Sequence, residues 1–320
     1  MRVTATIPAA ILVLATSTLA SADTYPSKAV RIVVAYAAGQ GTDIATRYLA
    51  DQLSKELGQP FVIENKAGAG GNLGTELAKQ APADGYTLTM GTNATHVLNQ
   101  FLYSKLAFDP AVDFEPIALV GTFPMVVAVT PGSSIQTIPD LLEQARQNTR
   151  SADVAMPSTT ARLVVEMLKD RAKVGLFGVP YKGSGNAMSD VLGGQVPVLV
   201  DTPTALRPQI AAGKVRPIGV TSMKPSNLVP GVKPVAEQGV ADFEVIAWNA
   251  LYAPKGTPAG VVNTLNQAVN KVLSQPDTRK KLLEIGFEPA GGSAAQLVDF
   301  AKVERVKWQP IIKAAGIKAD

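Results

Sequence analysis

AVRIVVAYAAGQGTD, residues 29–43, is the stretch from which the fold is read. Ala29–Tyr36 is a β-branched run that favours a strand. Ala37–Gly41 is a glycine-bearing loop, and Thr42–Leu57 carries helical periodicity up to Gly58, a residue suited to ending a helix. A second short strand is expected at Phe61–Glu64. Strand, loop, helix and strand in this order predict an α/β lobe with a largely parallel sheet.

The same rhythm continues outward. A helix is expected over Leu73–Gln80 and strands over Tyr86–Met90, Ile117–Val120 and Met125–Val129, the last two leading into a second lobe. That lobe alternates helices over Ile138–Gln147, Thr160–Arg171, Asn186–Leu192 and Thr204–Ala212 with strands at Val154–Met156, Leu176–Val179, Pro197–Val200 and Ile218–Thr221. Val245–Ala253 reads as a strand crossing back, and Ala259–Leu273, Asp277–Ile285 and Ala294–Ala315 read as helices. About 300 residues is long for one core, so two lobes are expected. Lobe 1 is read over 23–123 and 247–320, and lobe 2 over 124–246. Ligands of such folds sit at loops beyond strand ends, in the cleft between lobes that close about a hinge.

The N-terminus reads as an export signal. Met1-Arg2 is followed by the apolar run Ala9–Leu19, too short to span a bilayer, and then by the small-residue site Ala20-Ser21-Ala22. Cleavage is expected after Ala22. The chain has no cysteine, so neither a disulfide framework nor a lipidated N-terminal Cys is available. A free protein of a Gram-negative periplasm follows. The formal net charge is +4, and removing residues 1–22 takes away only Arg2. So mild and scattered an excess does not point to nucleic acid.

Candidate site residues lie in the loops after strands. Ala38, Gly39, Gln40, Gly41, Thr42 and Asp43 bring backbone N–H groups to a helix start, which favours an anion; the same segment serves equally as a tight turn. Thr42 is the expected N-cap. Asp43 suits the helix dipole but repels an anion, so it is expected to brace the loop. The spacing is not that of a dinucleotide or phosphate loop. Gly68–Asn72 reads as a second set of amides or as a connecting turn, with Asn65 tying it down. Thr92, Asn93, Thr95 and His96 follow the third strand. His96 is the only histidine; it is a candidate ligand contact or a structural residue, and alone it builds no zinc site. No GxSxG elbow occurs, so a hydrolase is poorly supported. In lobe 2, Ser158, Thr159 and Thr160 precede Arg162, and Lys182 precedes Gly183, Ser184 and Gly185. These put hydroxyls, helix N–H groups and cations where a carboxylate could be held, with a solvated surface as the alternative for Arg162 and Lys182. No catalytic residue, cofactor or metal is expected.

Read together, YPSKAVRIVVAYAAGQGTD (25–43), QPFVIENKAGAGGNLGTELAKQAPADGYTL (59–88), GTNATHVLN (91–99), FDPAVDFEPIALV (108–120), VPYKGSGNAMSDVLGGQV (179–196) and ERVKWQPIIKAAGIK (304–318) resemble the substrate-binding proteins of tripartite tricarboxylate transporters, the TctC-like or Bug receptors. The resemblance covers the whole mature chain. It implies a type II periplasmic-binding-protein-like α/β fold with two lobes joined by crossover strands. It also implies a carboxylated ligand held by loop backbone and ordered water, and delivery to the membrane subunits of such a transporter. A receptor that signals to a membrane sensor protein is the alternative. Matching positions are Ala38–Asp43, Thr92–Thr95, Ser158–Thr160 and Gly183–Gly185, with Asp201 and Thr202 on the same rim. Two departures stand out. Gln40 replaces a usual glycine, and PSTTARL (157–163) puts Arg162 near a usual histidine position. An arginine there favours a dicarboxylate, aliphatic or aromatic (a terephthalate-like acid fits), over a monocarboxylate or amino acid. A monomer is expected, since one cleft per chain suffices.

Overall fold

The computed structural model describes residues 25–147 and 152–319; the signal segment expected over residues 1–22 lies outside them. Two sheets carry the fold. The first is six-stranded and runs β11 (Glu288–Pro289), β4 (Phe114–Pro124), β10 (Ile246–Pro254), β3 (Thr87–Thr92), β1 (Val30–Val34) and β2 (Phe61–Asn65). The second is five-stranded: β7 (Gly178–Pro180), β6 (Val154–Met156), β8 (Val198–Asp201), β5 (Val126–Val129) and β9 (Arg216–Val220). The chain is thus an α/β protein with two sheets, as the alternation of strands and helices implied.

β1 is the buried strand expected from its composition, and α1 (Gly41–Leu57) follows it directly. Ala45, Leu49 and Leu53, four residues apart, form the buried stripe of α1. Gly58 ends the helix in the left-handed region (φ 70°), its N–H donating to Ser54 O at 3.0 Å. α2 (Asn72–Lys79) joins β2 to β3, and α3 (Asn99–Leu102) leads toward β4. Around the second sheet lie α4 (Ile138–Gln147), α5 (Thr159–Ala172), α6 (Ser184–Leu192) and α7 (Pro203–Ala211). The chain ends in α8 (Ala259–Ser274), α9 (Pro276–Glu284) and α10 (Ala294–Ala314).

Neither sheet is as parallel as the reading above expects. β1 is parallel to β2 and β3, but β10 is antiparallel to both β3 and β4. In the second sheet β6 is parallel to β7 and β8, while β5 is antiparallel to β8 and β9. The crossover imposes this. β4 leaves the first sheet and β10 returns to it, so the two must run in opposite directions. β4 also spans eleven residues, beyond the short strand expected at Ile117–Val120. Pro116 conceals it in the sequence; it pairs with Tyr252 at an irregularity in the β4–β10 register.

The crossings are tied together at Thr221, whose hydroxyl is buried. Thr221 Oγ1 accepts the Met125 N–H at 2.8 Å and donates to Val245 O at 2.5 Å. Its own backbone pairs with the same two residues, N–H to Met125 O and carbonyl to Val245 N–H. A second tie lies in the first lobe. Both tryptophans are fully buried, and Trp248 Nε1 on β10 and Trp308 Nε1 on α10 donate to one Glu304 Oε2, at 3.2 and 3.1 Å.

Thr221→Val keeps the shape of this side chain but leaves the Met125 N–H and Val245 carbonyl without it. Urea unfolding should show a loss of about 1–3 kcal/mol with an unchanged m-value. A midpoint equal to that of the parent protein would show that the hydroxyl does not hold the crossing.

Candidate functional site

Four helices begin at the cleft between the sheets. The loop after β1 turns through Gln40, whose Oε1 accepts the Ala37 N–H at 3.0 Å and whose Nε2 donates across the cleft to Pro157 O at 3.3 Å. α1 then starts at Gly41 with no side chain capping it. α6 likewise starts after Gly183 without a side-chain cap. By contrast, Ser158 Oγ caps α5 by accepting the Ala161 N–H, and Thr202 Oγ1 caps α7 by accepting the Ala205 N–H. One uncapped N-terminus therefore comes from each lobe, with first-turn N–H groups left for a ligand or solvent.

The lobes touch directly at this point. Thr160 Oγ1 donates to Asn93 Oδ1 at 3.2 Å. A Cβ added to Gly41 would stand 2.5 Å from Thr202 Oγ1, so only glycine lets these helix ends meet. Between them is an inner cavity of about 30 Å³, room for about one water molecule. Asn93 Nδ2, Ser184 Oγ, Asp201 Oδ2 and Asn249 Nδ2 belong to its lining residues, and none of these buried atoms has a hydrogen-bond partner in the protein. Buried polar atoms are rarely left so. Asp201 is 2 % exposed. Desolvation pushes its carboxyl up to about 6, against the pull of the nearby Ser184 hydroxyl and the Thr202 N–H.

An outer cavity of about 400 Å³ adjoins the inner one, and Tyr36, Gln40 and Ser158 line both. Gly68–Gly71 and Tyr103 form one wall; Pro157, Thr159 and Pro180–Lys182 form the other. Gly70 and Gly71 have φ of 62° and 97°, and a Cβ on Gly70 would stand 2.6 Å from Thr159 Oγ1. Glycine here gives both the left-handed turn and the close approach of the lobes. Arg162 lies on the rim, where its Nη1 donates to Lys318 O at 3.0 Å, and Ala319 N donates to Leu102 O at 2.9 Å.

Of the residues singled out from sequence, Gln40, Gly41, Thr42, Thr92, Asn93, Ser158, Thr159, Thr160, Arg162, Lys182, Ser184, Asp201 and Thr202 line one or both cavities. Ala38 and Gly39 instead face solvent, as does Gly185, while Gly183 is buried beside Ala37 and Gln40. Asp43 braces its loop, accepting from Gly39 N–H, Arg47 Nε and Asn65 Nδ2. Burial works to raise its carboxyl, but these hydrogen bonds outweigh it and hold the group below the usual carboxylate range. Thr42 is not the N-cap of α1: it sits inside the first turn, its hydroxyl directed at Asn249 Oδ1.

Thr95 and His96 line neither cavity. Ala94–Leu98 winds as a π-helical turn and carries His96 into the core, stacked on Tyr252 (centroids 4.1 Å apart) and against Phe114. Desolvation, with Arg305 nearby, lowers its imidazole to about 3. Tyr36, Tyr103 and Asn249 escaped the sequence reading. Only Asn249 left a signal, an amide inside the apolar run of β10.

The chain is similar to known proteins over most of its length. A family model described as "Tripartite tricarboxylate transporter family receptor" matches residues 45–317. A protein of Pseudomonas sp. strain P51, encoded between tcbD and tcbE, is 36% identical over 93% of this chain and 89% of its own length. BugT of Bordetella pertussis is 30% identical over 93% of this chain and 92% of its own. Among solved structures, Rpa4515 of R. palustris with adipate has a TM-score of 0.89 at 34% identity, covering 92% of this chain and 99% of that one. MatC of Rhodopseudomonas palustris with bound malate has a TM-score of 0.84 at 31% identity, covering 90% and 100%. The periplasmic binding protein BugD has a TM-score of 0.87 at 32% identity, covering 92% and 100%. The chain belongs to the tripartite tricarboxylate transporter receptor family, the solute-binding TctC-like or Bug receptors.

Proposed function

We propose that this receptor captures a dicarboxylate in the periplasm, after removal of residues 1–22, and delivers it as a single closed chain to the membrane subunits of a tripartite tricarboxylate-type transporter, without chemical change to the ligand. The observation that carries this reading is the pair of uncapped N-termini, α1 and α6, facing each other from opposite lobes beside partnerless buried donors. Helix dipoles and free N–H groups favour an anion there without an opposing charge. One carboxylate sits where the two cavities join, by Tyr36, Gln40 and Ser158. The carbon chain fills the outer cavity, and the second carboxylate meets Arg162 and Lys182. Adipate and malate in the similar structures are both dicarboxylates, which supports the class.

The ligand experiment is a calorimetric titration with adipate against hexanoate, the same chain with one carboxylate fewer. Arg162→Ala should weaken adipate by about 1.5–3 kcal/mol, the worth of a charged hydrogen bond, and leave hexanoate unchanged. Equal losses for the two would place the arginine in lobe closure rather than at the second carboxylate. Adipate binding no tighter than hexanoate in the parent protein would sink the dicarboxylate reading.

Asp201 gives a pH test. Its folded value of about 6 lies above the ordinary 3.8, so the folded state binds more protons than the unfolded chain between those values. Stability associated with this group is complete at low pH and is lost as pH rises through that window. Asp201→Asn should therefore stabilise the protein by at most about 3 kcal/mol above pH ~6, and add little near pH ~4. A gain of the same size at both values, or none at either, would contradict the burial of an ionised Asp201.

A further inference from the structure

The one histidine of the chain reaches the cleft through hydroxyl groups. His96 Nδ1 lies 2.9 Å from Thr95 Oγ1, which lies 3.3 Å from Thr92 Oγ1, which in turn lies 2.8 Å from Tyr36 Oη. Tyr36 lines both cavities, while the imidazole is 1 % exposed and its Nε2 has no partner. We propose that His96 is a positioning residue: holding its proton on Nδ1, it orients the Thr95 and Thr92 hydroxyls so that the Tyr36 O–H is free to donate into the cleft. The consequence for ligand rests on the carboxylate reading above; the placement of the proton does not.

Each hydroxyl has one proton to give and two lone pairs to fill, so the ends of the chain set its direction. A neutral imidazole carries one N–H. On Nε2 that N–H would be buried with no acceptor, whereas on Nδ1 it donates to Thr95 Oγ1. Thr95 Oγ1 also accepts the Thr92 N–H at 3.1 Å, which fills both of its lone pairs. Its proton then goes to Thr92 Oγ1 at 3.3 Å, nearer than the Thr92 carbonyl at 3.5 Å. Thr92 Oγ1 already accepts the Thr95 N–H, so it too is filled and must donate to Tyr36 Oη. Tyr36 is left with its own proton unassigned. Burial pushes its phenol up to about 12, so the proton stays on the oxygen at any physiological pH.

The other tautomer releases this order. Thr95 would donate to Nδ1 and keep a lone pair open, so Thr92 could donate to Thr95 and Tyr36 to Thr92, turning the tyrosine's lone pairs toward an anion. A buried ring that touches no ligand thus decides whether the wall of the cleft attracts or repels a carboxylate. The imidazole is lowered to about 3 by desolvation and by Arg305, so it stays neutral near neutral pH.

The test begins without ligand. Two-bond proton–nitrogen correlations on the isotope-labelled full protein contain a single imidazole, because the chain has one histidine. The expected pattern has the proton on Nδ1 at all values from about pH 6 to 8. A proton on Nε2, or a pattern averaged between the two nitrogens, would overturn the proposal. Adipate titrations then read the coupling. Tyr36→Phe and Thr95→Val should each weaken adipate about tenfold, and the double variant should be no weaker than Tyr36→Phe alone. Losses that add would show Thr95 acting independently of Tyr36 and would also overturn it. If the parent protein does not bind adipate, the dicarboxylate reading fails, while the correlation spectrum still decides where the His96 proton lies.

Discussion

Thr221 Oγ1, between the Met125 N–H and the Val245 carbonyl, is the point through which the two halves of the molecule are related. The chain leaves the first sheet at Pro124, changes sheets at Met125, and returns at Ile246 in the middle of the sheet it left. The first lobe is incomplete until that return, because β10 lies between β3 and β4. A hydroxyl bonded to both crossing segments keeps outgoing and incoming chains in register.

The inner part of the cleft carries little charge. Its inner lining carries no lysine or arginine, and it contains the carboxyl of Asp201. In the reading proposed above, direction takes the place of charge: uncapped helix starts and buried amide groups lie at the inner cavity. Such dipoles need no reorganisation when the ligand arrives. Being fixed by backbone, they are also hard to alter by single side-chain changes. The outer cavity differs in carrying charged side chains, Arg162 and Lys182, among its lining residues.

The sequence revealed most of the elements and many of the cavity-lining residues, for local reasons. β-branched runs, a glycine stop at Gly58 and loops after strands are short-range signals, and they placed β1, α1 and the loops at Gln40, Ser158 and Ser184. The bracing of its own loop by Asp43 was legible because Gly39 lies one helical turn away, whereas Asn65, expected to tie down Gly68–Asn72, instead reaches Asp43 and the Tyr36 carbonyl from far along the chain. Long-range facts were not. The orientation of β10 follows from where the chain crosses, which no local pattern records. The inward turn of His96 depends on a π-helical winding that nothing in GTNATHVLN announces. Tyr36 and Tyr103 look like ordinary core aromatics until the glycine loop at 68–71 is folded against them.

The segment at 318–319 is bonded to both sides of the cleft. Lys318 is held by Arg162 from one side of the cleft, and its neighbour Ala319 is held by Leu102 from the other. Both bonds are made to main-chain groups, so the spacing of the cavity walls here is set by backbone that no side-chain substitution at 318 or 319 removes.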